Sequence, residues 1–147
     1  MNTFQDSLKD LMSENSLNGR KLSLITEVTP STIYDFFKRD FYPSIDLTLK
    51  MSEYFNCSID YLLGLSDVKN KEYTIDTNSM LKNFNDNLAE ILKNNNISKA
   101  KAMRDMQMGV FAFYRWKRGM FPKTISLINV AKYLGISIDY LLGHECK

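Results

Sequence analysis

The heptapeptide Ser58-Ile59-Asp60-Tyr61-Leu62-Leu63-Gly64 recurs unchanged as Ser137-Ile138-Asp139-Tyr140-Leu141-Leu142-Gly143. An identity of that length within a chain of 147 residues points to an internal repeat. Stepping backwards from it, Tyr54 pairs with Tyr133, Phe55 with Leu134 and Pro43 with Pro122, all at an offset of 79. Upstream of the prolines the offset becomes 80, matching Phe36 with Trp116, Tyr34 with Tyr114, Leu8 with Leu88 and Phe4 with Phe84. The first copy therefore carries one extra residue in the loop before Pro43. One unit is used twice: residues 1–68, a polar linker over 69–79, and residues 80–147. Each unit is large enough to fold alone, with the modest stability expected of so small a core.

Within each copy the apolar residues recur at helical spacing, and no period-two strand pattern competes with them. Phe4, Leu8, Leu11 and Met12 predict a first helix ending near Glu14. Asn18 is placed to cap a second, which carries Leu22 and Ile25. Thr29 is a good N-cap and Pro30 suits the first helical position, where its missing N–H leaves no bond unmade; the third helix then runs from Pro30 to about Lys38. A fourth carries Leu47, Met51, Tyr54 and Phe55, and Ser58 opens a fifth that Gly64 ends. The second copy predicts helices over 81–92, 98–106, 110–117, 123–134 and 137–142. The fold class is all-α, with five helices in each half. Phe36 and Trp116 read as core anchors, Met103, Met106 and Met108 as core filler, and Tyr61 and Tyr140 as core or domain-interface residues. Asp60 and Asp139 stand in the first turn of a short helix, where a carboxylate complements the dipole.

Composition narrows the function. Hydrophobic residues make up 44% and charged residues 24%, ordinary for a globular protein. No apolar run is long enough to span a bilayer and the N-terminus has no leader pattern, so a cytoplasmic protein with no membrane partner is expected. Cys57 and Cys146 have no ligand spacing and predict neither disulfide nor metal. The single histidine, His144, lies in the C-terminal tail. With no phosphate-cradling glycine loop and no residue placed to activate a nucleophile, neither an enzyme nor a cofactor is expected. The net charge of +2 is unevenly divided. Residues 1–73 hold eight Lys/Arg against eleven Asp/Glu, net −3, and residues 74–147 hold eleven against six, net +5. A polyanion would be drawn to the second half.

The stretches Leu17-Asn-Gly-Arg-Lys-Leu-Ser-Leu-Ile-Thr-Glu-Val-Thr-Pro-Ser-Thr-Ile-Tyr-Asp-Phe36 and Ile97-Ser-Lys-Ala-Lys-Ala-Met-Arg-Asp-Met-Gln-Met-Gly-Val-Phe-Ala-Phe-Tyr-Arg-Trp116 resemble the phage-repressor-like (XRE-type) helix-turn-helix family. Trp116-Lys117-Arg118-Gly119, Pro122 and the repeated heptapeptide are similar to the segment C-terminal to that motif in the family. The resemblance implies two tandem five-helix lambda-repressor-like domains. Double-stranded DNA would be the partner, entered through the major groove by the second helix of each motif. Its groove-facing positions fall on Pro30, Ser31, Tyr34 and Asp35, with Thr29 and Thr32 beside them, and on Val110, Phe111, Tyr114 and Arg115. Backbone-phosphate positions fall on Asn18, Arg20, Lys21, Lys38 and Arg39, and on Ser98, Lys99, Lys101, Lys117, Arg118 and Lys123. The chain departs from the family at the turn, where Glu27 and Gln107 replace glycine. It departs again at Met103, where a small residue such as Ser23 is usual, and at Gly19 and Lys99, where glutamine is common.

The expected function is a sequence-specific DNA-binding transcriptional regulator, most simply a repressor of a phage or other mobile element. It would act by covering an operator that overlaps a promoter. The two motifs would imitate a repressor dimer, or one would read DNA while the other makes a homodimer. The competing expectation is a protein-interaction module, an antirepressor or inhibitor of a host enzyme, whose second copy binds a protein partner through Val110 and Phe111.

Overall fold

The computed structural model describes residues 3–38, 42–69 and 78–143. Among these the protein is all-helical, with ten helices and no strand. It separates into two compact units, Met1–Glu72 and Tyr73–Lys147.

Unit one comprises α1 (Phe4–Glu14), α2 (Gly19–Thr26), α3 (Pro30–Lys38), α4 (Ile45–Phe55) and α5 (Ile59–Leu62). Polar side chains set the starts of these helices. Thr3 Oγ1 accepts from the Asp6 N–H at 3.1 Å while the Asp6 carboxylate accepts from the Thr3 N–H at 3.1 Å, a reciprocal cap. The Thr3 backbone N–H, and then the Thr3 hydroxyl, hold the Asp6 carboxyl below its ordinary range. Asn18, Ser44 and Ser58 cap α2, α4 and α5, each satisfying an N–H that the first turn leaves without an intrahelical partner. Phe4, Leu8, Leu11, Leu22, Ile33, Phe36, Met51, Ile59 and Leu62 form the core. Lys69, read from sequence as the first linker residue, belongs to this unit. Its carbonyl accepts from the Ser58 N–H at 3.1 Å and its ammonium is paired with Glu14. Residues 70–77 of the expected linker, with Arg39, His144 and Cys146, lie outside the described residues.

Unit two repeats the plan in α6 (Met80–Asn94), α7 (Lys99–Asp105), α8 (Ala112–Lys117), α9 (Thr124–Leu134) and α10 (Ile138–Leu141). The repetition reaches side-chain geometry. Phe4 meets Phe36 edge-on at 5.5 Å and 74°, and their counterparts Phe84 and Trp116 meet at 5.3 Å and 75°. It also reaches the backbone. Ser16 and Asn96, Glu27 and Gln107, Asn56 and Gly135, and Gly64 and Gly143 all have positive φ, in matched pairs. The left-handed turn between the second and third helices is thus kept at Glu27 (φ 60°) and Gln107 (φ 55°) without glycine.

Two differences between the units matter. The helix expected from Val110 begins two residues later, at Ala112. Unit one has Thr29 and Pro30 at this start; unit two has Gly109 and Val110, which supply no capping oxygen and no preset φ, and Phe111 makes no side-chain cap. The second difference concerns α6. Asn85 Nδ2 donates to the Trp116 carbonyl at 3.0 Å, Asn83 to Leu142 at 3.3 Å, and Asn87 to Tyr140 and Leu141 at 3.1 and 3.2 Å. These amides close the C-terminal ends of α8 and α10. The residue of unit one matched to Asn87 is Ser7, whose buried hydroxyl has no partner among the described residues. Ser7→Ala removes this unsatisfied oxygen and improves helix propensity, so we expect stabilisation of about 1 kcal/mol. In a thermal melt this is a rise in Tm of about 4–8 °C; a fall would mean that the hydroxyl is satisfied.

Candidate nucleic-acid interface

In unit one α2 and α3 pack across the left-handed turn at Glu27. Leu22, Ser23 and Thr26 are buried on α2, and Ile33 and Phe36 on α3. A helix turned inward at Ile33 and Phe36 presents the intervening positions outward. Pro30, Ser31, Tyr34, Phe37 and Lys38 are exposed, and Thr32 and Asp35 are half-buried. The start of α3 carries a small hydroxyl cluster. Thr29 Oγ1 lies 3.0 Å from both Ser31 Oγ and Thr32 Oγ1, and accepts from the Thr32 N–H at 3.4 Å. Arg20 and Lys21 are exposed on α2. The Asn18 side chain is engaged in capping, accepting from the Lys21 N–H at 2.8 Å. Glu27 brings a negative charge to the turn, faced at 3.5 Å by the Lys50 ammonium.

Tyr34 is positioned by a glycine. A methyl group at buried Gly19 would sit 3.0 Å from Tyr34 Cε1 and 3.1 Å from Cζ, so the ring lies directly on the first residue of α2. In unit two the matched residue is the exposed Lys99, and the matched Tyr114 is held elsewhere. Arg118 Nη1 donates to the Tyr114 hydroxyl at 2.9 Å, and its guanidinium stands 5.4 Å from the ring centroid.

The α8 region of unit two is cationic. Phe113 and Trp116 anchor it in the core, leaving Tyr114, Arg115, Lys117 and Arg118 outside. Lys99 and Lys117 line one groove of about 460 Å³ with Leu81, Asn85 and Phe113. Arg115 and Lys123 line a second, of about 320 Å³, with Met108, Met120 and Phe121. Arg115, Lys117 and Lys123 have no ion-pair partner among the described residues. Lys101 does: it holds Asp105 at 2.7 Å, and the Tyr133 hydroxyl donates to the same oxygen at 2.6 Å. Lys101 and then Tyr133 lower the Asp105 carboxyl below its ordinary range, and Asp105 in turn raises the Lys101 ammonium and the Tyr133 hydroxyl. Ser98 is engaged in capping α7. Val110 and Phe111, expected on a helix, lie in the turn before α8 and are 70% and 64% exposed.

The described site residues of unit one thus fall on α2 and its cap Asn18, on α3, and on the segment between them. Those of unit two spread over the start of α7, α8 with the turn before it, and Lys123 at the start of α9, while Lys101 faces Asp105. Sequence reading missed the Gly19–Tyr34 and Tyr114–Arg118 contacts. The paired tyrosines, opposite glycine in one copy and lysine in the other, were the available signal. Among the described residues no cluster of His, Cys, Asp and Glu is placed to hold a metal, and no helix is long and apolar enough to cross a membrane. No protein-family model, curated protein or solved structure matches the chain.

Proposed function

We propose that the protein is a sequence-specific regulator of transcription that binds double-stranded DNA through two tandem lambda-repressor-like helix-turn-helix units. The observation that carries this reading is the outward face of α3 beside the Glu27 turn, with a cationic surface around α8 in unit two. A short helix, a tight turn and a second helix anchored on one side by Ile33 and Phe36 leave hydroxyl, aromatic and cationic groups facing solvent. A major groove admits a helix so presented. The simplest action is repression, by occupying an operator of a phage or mobile element and excluding polymerase. Selection of duplexes from a random pool with the intact chain should enrich a preferred sequence that survives moderate salt. Recovery of no preferred sequence counts against the reading.

The exposure of Val110 and Phe111, and the late start of α8, favour a second reading in which unit two holds a protein partner. Charge reversal at Arg115 and Lys117 separates the two. It should sharply weaken DNA binding on the first reading and leave it unchanged on the second.

A further inference from the structure

We infer that the two units divide the work of binding: unit one reads base sequence through α3, and unit two supplies phosphate affinity with little reading of its own. The inference rests on the DNA-binding proposal above and deepens it.

Sequence reading needs hydrogen-bonding groups on a projecting helix, and binding of any duplex needs cations. The protein places these requirements in different halves. In unit one α3 has nine residues and starts at Pro30. The Thr29–Ser31–Thr32 hydroxyls are already arranged at 3.0 Å from one another's common centre, Thr29 Oγ1. Tyr34 is seated on Gly19 with its hydroxyl bonded to nothing among the described residues. Yet this half of the chain carries net −3 and brings Glu27 and Asp35 to the same region, so it is poorly equipped to hold a polyanion alone.

Unit two is the complement. The helix α8 has six residues, and the three that α3 has in addition correspond to about 4.5 Å of reach. Where the first turn is missing stand Val110 and Phe111, whose side chains have no donor or acceptor and can meet only thymine methyls. Tyr114, the match of Tyr34, is tied to Arg118. Its half of the chain carries net +5, with Lys99, Lys117 and Lys123 exposed and, among the described residues, not paired to acids, which leaves Arg115 as the one uncommitted polar side chain at a groove-facing position. Once unit two rests on phosphate, the covalent link makes the docking of unit one intramolecular, raising its effective concentration into the millimolar range. Gly19 is then a positioning residue: it sets the place of Tyr34 without touching DNA.

The test uses the intact chain, a pool of randomised duplexes of about 30 base pairs, long enough for both motifs, and the site enriched from it. Selection should return one conserved block rather than two. Lys99→Ala/Lys117→Ala/Lys123→Ala should weaken binding to enriched and random duplex by the same factor and lower the salt slope by about 3. Gly19→Ala and Tyr34→Phe should instead lower the ratio of enriched to random affinity about tenfold, with the salt slope and the circular dichroism melt unchanged. Two conserved blocks, a specificity ratio that falls in the triple variant, or one that survives in both unit-one variants overturns the division while DNA binding stands. Failure of the intact chain to bind any duplex at low salt overturns the DNA proposal itself, and the division with it.

Discussion

Phe36→Ala should unfold unit one and leave unit two native, and Trp116→Ala should do the reverse. Each ring is almost wholly buried and packed edge-on against the aromatic residue that opens its unit, Phe4 or Phe84. Trp116 also meets Phe113 at 5.2 Å. Truncating such a ring to a methyl costs about 3–5 kcal/mol in lost transfer energy and cavity. A unit of this size has a total stability of only about 3–10 kcal/mol, so the loss takes most of it. The chain contains one tryptophan, Trp116 in unit two, which makes the outcome readable. In Phe36→Ala, far-ultraviolet dichroism should lose about half its helical amplitude while Trp116 emission keeps its native, buried wavelength. A red shift of Trp116 in that variant would show that the units stand or fall together.

Raising salt from 50 to 200 mM should weaken duplex binding by the intact chain about 150-fold. The phosphate-position cations Lys99, Lys117, Arg118 and Lys123 are exposed around α8 and on its flanking elements. Four phosphate contacts give a slope of about −3.6 in log affinity against log salt, hence about 150-fold for a fourfold rise. Lys101, engaged by Asp105, is left out of that sum, and Lys101→Ala should change the slope less than Lys117→Ala. Filter binding at four salt concentrations suffices. A slope near zero would mean that the cationic face is simply solvated.

Much of this architecture was legible because local chemistry and global fold agree. Thr29-Pro30, Asn18, Ser58 and Ser137 mark helix starts by mechanisms confined to a few residues, and the helices begin where those marks stand. The aromatic pair Phe4–Phe36 was signalled by its recurrence as Phe84–Trp116 at the same offset. Where the reading slipped, the local signal was weak. Gly109-Val110 offers no cap, so periodicity carried α8 back to Val110 although nothing there holds the first turn. The contacts that distinguish the candidate sites are tertiary. Nothing within α3 announces that Tyr34 rests on Gly19, nor within α8 that Tyr114 turns to Arg118 instead. Likewise the asparagines of α6 look like ordinary polar surface until Leu142 and Trp116 are seen to lie beneath their amides.

The matched residues at positive φ reach beyond the question of repeats. Ser16, Glu27, Asn56, Asn96 and Gln107 hold a left-handed backbone although each bears a side chain, at about 1 kcal/mol apiece. For units so small this is a sizeable fraction of the margin that keeps them folded. Their corners are therefore spring-loaded, kept bent by backbone bonds across the helix ends: Leu17 N–H to the Met12 carbonyl, Val28 to Ser23, Cys57 to Ser52, Ile97 to Leu92 and Met108 to Met103. Loss of a core, as in Phe36→Ala, leaves those bonds nothing to offset the strain, so each unit should come apart as a whole.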